Sequence, residues 1–228
     1  NLHKVNLKKK YPLQISRGTH SNSQNIFVEL IKDGITSWGE SAPGLNEGAA
    51  SSFEVEDALK KLIDSDLDNL SIYEIHQRSK DLNIPPCAYA ALDTALWDWH
   101  AQKAQMPLYQ LLGLPSPKTP TSLTIGINPP EVIKERVEII ISNPEVKALK
   151  IKLGSPDGIE YDKLIYSQVL DSTKNLDISI RVDANGGWSL EEAKIMMKWL
   201  SERKAEYIEQ PLVAVSYTHL RAHETVVH

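Results

Sequence analysis

The spacing of apolar residues changes character along the chain. Ile26-Phe27-Val28-Glu29-Leu30-Ile31 and Ile35-Thr36-Ser37-Trp38-Gly39-Glu40 read as strands flanking Asp33-Gly34, a two-residue hairpin signal. Residues 2–41 as a whole read as strands, with the polar run Arg17–Ser23 expected to be a loop between them. After Pro43-Gly44 the period lengthens. Residues 52–63, 71–82 and 86–104 carry apolar side chains at helical spacing, most clearly Ala88, Ala91, Leu92, Ala95 and Leu96. A further short helix is expected over Pro107–Leu112. Strands followed by helices predict a small α+β domain over residues 1–117.

Pro115, Pro117 and Pro120 mark a boundary. Beyond it strands and helices alternate. Strands are expected at Thr121–Ile127, Ala148–Leu153, Ile178–Asp183 and Tyr207–Glu209, and helices at Pro130–Ile141, 158–171 and Leu190–Arg203. Alternation of this kind implies βαβ units around a parallel sheet, and a repeat of roughly 30 residues is the size of one unit of an eight-fold barrel. The fold class is therefore α/β, with residues 118–214 forming part of a TIM-like (β/α) barrel. Four strands fall short of the roughly eight that close such a barrel. The sheet is either open or the first half of a barrel.

Composition narrows the function classes. The net charge is −5, with acids and bases interspersed, and no basic stripe suggests nucleic acid. Apolar runs are far shorter than a membrane span. Cys87 is the only cysteine, which rules out an intrachain disulfide and points to a reducing compartment, so a cytoplasmic protein is expected. Its apolar neighbours make Cys87 a packing residue. The sequence leaves open whether the chain forms a homo-oligomer.

Catalytic groups of (β/α) barrels sit at the C-terminal ends of the strands. Those ends are unusually polar here. The second strand ends Lys150-Ile151-Lys152, and alternation puts both amines on one face. The third ends Asp183-Ala184-Asn185 and the fourth ends at Glu209, before Gln210-Pro211. Taken singly, each group has a plainer reading: Lys-x-Lys as surface charge, a strand-end acid as a helix cap, Asn185-Gly186-Gly187 as turn chemistry. Together, two carboxylates on adjacent strands can hold a hard divalent cation, Mg²⁺ above all. A lysine at the same rim can act as a base when a second amine and a metal lower its pKa. The same positive charges would stabilise an ene-diolate formed as a proton leaves the carbon beside a carboxylate.

These strand-end segments, Ala148–Lys152, Arg181–Asn185 and Tyr207–Pro211, resemble the enolase superfamily, and Lys-x-Lys resembles its muconate-cycloisomerase-like branch. Trp38-Gly39-Glu40-Ser41-Ala42-Pro43 and Ala90–Asp98 look like that superfamily's capping domain. The resemblance implies that Lys152 is the acid/base on one face of a small-molecule carboxylate substrate and Lys150 its electrostatic neighbour. It implies Asp183 and Glu209 as ligands of Mg²⁺ and Asn185 as a supporting rim residue. Pro12–Thr19 and Thr121–Ile127 look most like dipeptide epimerases, which invert one α-carbon of a dipeptide. Muconate cycloisomerases and o-succinylbenzoate synthases use the same lysines and metal. The run Arg17–Ser23, with Arg17, Thr19 and His20, is expected to cover the substrate.

The resemblance also calls for groups that the chain does not show: a third acidic ligand on strand five, a lysine on strand six and an acidic pair on strand eight. Residues 215–228 break the βα rhythm and look like a translated sequencing-adapter read-through. His219 and His223 lie there, but a zinc-protease helix would need histidine where Val227 stands. On this reading the parent is an isomerase and the chain alone an inactive fragment that binds metal. A complete open-sheet protein holding an anion at the rim is a further alternative.

Overall fold

The computed structural model describes residues 1–213. The tail segment 215–228, with His219 and His223, lies outside the described residues. The chain divides into two compact units. The first comprises Asn1–Lys8 and Asn22–Pro117, and the second comprises Lys9–Ser21 together with the chain from Lys118 onward. Among the described residues no helix is long and apolar enough to cross a membrane.

A three-stranded sheet runs in the order β1 (Leu2–Ile15), β2 (Gly18–Lys32), β3 (Ile35–Ser41), and all of it except the hairpin end Lys9–Ser21 belongs to the first unit. β2 and β3 pair antiparallel across the Asp33-Gly34 turn, with Lys32 opposite Ile35. Both turn residues take positive φ, 53° and 74°, as the tight hairpin signal predicts. Along β3, Ser37, Gly39 and Ser41 are buried while Trp38 and Glu40 face outward, a strict two-residue alternation. Helices α1 (Ser52–Ile63), α2 (Ile72–Asp81), α3 (Pro86–Lys103) and the single turn α4 (Leu108–Leu111) follow. Ser51 caps α1, and Ser71 with Glu74 forms a reciprocal capping box on α2. Ala88, Ala91, Leu92 and Ala95 of α3 share a core with Ile26, Val28, Val55, Leu59 and Leu62. The alanines let α3 lie close to β3. A Cβ added at Gly39 would overlap the carbonyl oxygen of Ala91.

The second unit is a four-stranded parallel sheet, β4 (Ser122–Ile125), β5 (Ala148–Lys152), β6 (Ser179–Asp183) and β7 (Ala205–Glu209), joined in sequence order through α5 (Pro130–Ile141), α6 (Ile159–Thr173) and α7 (Leu190–Ser201). This is a run of βα units, half of an eight-stranded barrel. Leu149, Ile151, Ile180 and Val182 are buried with Ile133, Val137, Ile165, Val169, Met196 and Leu200. The intervening residues of each strand therefore share the opposite face. The register sets Lys150 beside Arg181, Lys152 beside Asp183, and Asp183 beside Glu209. Reaching the last pairing requires an irregularity. Ile180 pairs with Ala205 but Val182 pairs with Ile208, so β7 carries one extra residue across this stretch. Without that irregularity Ile208 would stand beside Asp183.

One expectation is corrected. Arg17–Ser23 is not a loop: β1 turns at Ser16-Arg17 and β2 runs unbroken from Gly18. Residues 18–22 are exposed, so neither face of the strand is apolar and no alternation marks it as β structure.

Substituting Gly39→Ala should destabilise the chain by about 1–3 kcal/mol, the usual cost of forcing extra volume into a packed core. A lowered urea midpoint with an unchanged slope would show it, and an unchanged midpoint would mean that β3 and α3 have room to separate.

Candidate active site

The register brings four of the expected residues into one ion-paired cluster. Lys152 Nζ donates to Asp183 Oδ2 at 2.6 Å. Lys150 Nζ lies 3.1 Å from the same Asp183 oxygen and donates to Glu209 Oε2 at 2.6 Å. Asp183 thus sits between two ammonium groups, and Lys150 bridges two carboxylates. The Asp183 side chain is 2% exposed, against 13% for Lys152, 20% for Lys150 and 43% for Glu209. Burial by itself would raise the Asp183 pKa, but the bonds from Lys152, the Asn185 N–H and Lys150 outweigh it and hold the carboxyl below its ordinary value. Burial likewise opposes charge on Lys150, and the bonds to Glu209 and Asp183 overcome it, so its pKa is raised.

Asn185 closes the rim. Its φ is +48°, a left-handed conformation that asparagine tolerates better than most residues. Its N–H donates to Asp183 Oδ1 at 2.9 Å, and its carbonyl accepts from Ser16 Oγ at 3.0 Å. Its Oδ1 is buried and has no hydrogen-bond partner. Ser16, at the tip of the β1–β2 hairpin, is a contact the sequence did not single out. Of the residues expected on that segment, Arg17 lies in the turn and Thr19 and His20 on exposed strand. Among the described residues, none of the three is joined to the cluster by a side-chain hydrogen bond. The supposed cover is a hairpin latched through Ser16.

The loops behind the cluster are tied by a residue sequence reasoning also missed. Asp162, in the first turns of α6, is fully buried. Its carboxylate accepts from the N–H groups of Gly154 and Ser155 at 2.9 and 3.0 Å and from Trp188 Nε1–H at 2.7 Å. Burial pushes its pKa up, with those three donors pulling the other way. An aspartate at a nominally buried helical position, ahead of a tryptophan in the next loop, is the only sequence signal for it.

The donor set suits a hard cation. Two carboxylates stand in register on adjacent strands, already holding positive charge, and the side-chain oxygen of Asn185, two residues beyond Asp183, is buried without a partner. Mg²⁺ commonly takes one or two protein carboxylates and completes its six positions with water and substrate oxygens. Among the described residues, no group of three His, Cys, Asp or Glu side chains comes together. The third acidic ligand that the resemblance calls for is not among them.

Comparison with known proteins identifies the family and supports the fold. Residues 1–113 match the family "Mandelate racemase / muconate lactonizing enzyme, N-terminal domain", and residues 133–227 match "Enolase C-terminal domain-like". A hydrophobic dipeptide epimerase of a Flavobacteria bacterium is 57% identical over 210 residues, covering 92% of this chain and 60% of that protein. One from Roseobacter litoralis is 47% identical over 211 residues, covering 92% of this chain and 61% of that protein. Among solved structures, the dipeptide epimerase of Enterococcus faecalis complexed with Mg and L-Leu-L-Tyr superposes with a TM-score of 0.83 at 29% identity, covering 93% of this chain and 60% of that one. The chain belongs to the enolase superfamily, with the N- and C-terminal domains of its mandelate racemase/muconate lactonizing group. It spans about three-fifths of the length of the relatives it matches.

The Asp183 pKa sets a sign for pH dependence. A carboxyl depressed below its ordinary 3.8 stabilises the fold above that value, and the stabilisation is lost as pH falls through the lower, folded-state pKa. Urea unfolding between pH 7 and pH 2 should therefore show a loss of stability below about pH 4. Asp183→Asn should be weaker by about 2 kcal/mol at neutral pH and should lack that part of the acid dependence. An unaltered acid limb in the variant would assign the dependence to other carboxylates.

Proposed function

We propose that this chain carries the metal-binding and first-base half of a Mg²⁺-dependent epimerase acting at the α-carbon of a dipeptide. The observation that supports it most is the Lys150–Asp183–Glu209–Lys152 cluster at three successive parallel strand ends. The named activities of the relatives point the same way. Asp183 and Glu209 would hold Mg²⁺, with the Asn185 oxygen at hand to orient a water or substrate group. Bound there, the metal supplies positive charge beside the substrate carboxylate and so favours loss of the neighbouring proton. Lys152 would be the amine that takes that proton. Lys150 stays on the same face as a cation and stabilises the negative charge left on the substrate.

Inversion needs a proton donor on the opposite face, and both lysines of the cluster lie on one face. The residues present can thus remove a proton and return it from the same side. Muconate cycloisomerase and o-succinylbenzoate synthase chemistry would use the same groups, and a substrate comparison separates them. The lack of a third ligand and of an opposing lysine among the described residues favours a second reading, in which the chain binds metal without turning over.

Incubation with Mg²⁺ and L-Leu-L-Tyr or its diastereomers in D₂O, followed by proton NMR, tests this. The expected outcome is deuterium entering one α-position of one epimer with retention of configuration, lost by 10²-fold or more in Lys152→Ala. Exchange that survives that substitution or ignores Mg²⁺ would overturn the assignment. Calorimetric Mg²⁺ binding without exchange would establish the second reading.

A further inference from the structure

Lys152 and Asp183 end two strands whose following loops are fastened to each other by one group outside the cluster. Asp162 Oδ2 accepts both the Gly154 N–H, two residues beyond Lys152, and Trp188 Nε1–H, three residues beyond Asn185. Its Oδ1 accepts the Ser155 N–H. The two loops also touch through glycine. A Cβ at Gly187 would come within 2.7 Å of the Gly154 Cα and oxygen, and Gly154 itself has φ +77°. Leu153 N–H donates to the Asp183 carbonyl at 2.9 Å, completing the seam. A fully buried carboxylate is costly to keep unless its lone pairs are filled, and here backbone and indole donors fill them rather than a countercharge. Nothing about capping α6 requires a bond to Trp188, which belongs to a different βα loop.

We propose that Asp162 is a positioning residue, which through Gly154, Ser155 and Trp188 locks the loop after β5 to the loop after β6 and thereby holds Lys152 against Asp183. This goes beyond the proposed chemistry and uses it only in treating Lys152 as the working amine. Asp162→Asn cannot satisfy all three donors, since one of its two terminal atoms is itself a donor. Trp188→Phe removes one bond and keeps an aromatic ring in place.

Timed acylation of the full chain by an N-hydroxysuccinimide ester, with each lysine read by peptide mass spectrometry, follows the position of Lys152 directly. Exposed Lys118 and Lys134 serve as internal references. No metal or substrate enters the measurement, so its failure is distinct from failure of the proposed reaction. In Asp162→Asn, Lys152 should label about five-fold faster or more, with the reference lysines unchanged. Hydrogen exchange should quicken in residues 153–156 and 184–188 while α6 stays protected. Trp188→Phe should show the same pattern more weakly, and it carries the test if Asp162→Asn does not fold. Lys152 labelling at the parent rate in the folded variants would overturn the proposal. So would exchange that accelerates equally across the second unit, because Asp162 would then support the fold and not the placement of Lys152.

Discussion

Everything in the candidate site depends on the register of three parallel strands. A parallel ladder has evenly spaced bonds and a two-residue side-chain period, so fixing one pair of neighbours fixes which residues share a face along the whole strand. Lys152 beside Asp183 and Asp183 beside Glu209 are consequences of that ladder. The buried face of Leu149, Ile151, Ile180 and Val182 locks the same register from behind, since slipping any strand by one residue would drive its charges into the helices. Core packing and site geometry are therefore one constraint seen from two sides.

The charges on the other face answer to a different rule. A carboxylate as enclosed as Asp183 must be neutralised or strongly hydrogen-bonded, and two ammonium groups and a backbone N–H meet that need. The cluster gathers two amines and two acids into a nearly balanced set, in which any incoming cation competes with the lysines for the same oxygens. That competition links metal binding to release of the amines. The Asn185 side-chain oxygen, two residues along from Asp183, is buried without a partner.

Much of this could be read from the sequence because it rests on short-range periodicity. The Lys-x-Lys spacing, the acids closing successive strands and the helical rhythm of 52–63 and 130–141 are all local signals, and the observed elements follow them closely. What escaped detection has no local period. Gly18–Ser23 is strand without an apolar face, so its polarity mimics a loop. Ser16 acquires its role only by meeting Asn185, 169 residues away in the chain. Asp162 resembles one more acid in the first turn of a helix until its three partners, drawn from two different loops, are known. The irregular pairing of β6 with β7 leaves no mark in composition at all.

That irregularity bears on how such a chain can change. The extra residue between Ala205 and Ile208 is left out of the one-to-one pairing, and for that reason Glu209 and not Ile208 stands next to Asp183. Removing one residue there would leave a regular parallel pair with Glu209 still beside Asp183, whereas straightening the ladder with every residue kept would set Ile208 there. Lineages of this fold could thus shed a codon between Ala205 and Ile208 and keep the rim carboxylate where it stands. An alignment would show that deletion as a gap inside a strand although the rim had not changed.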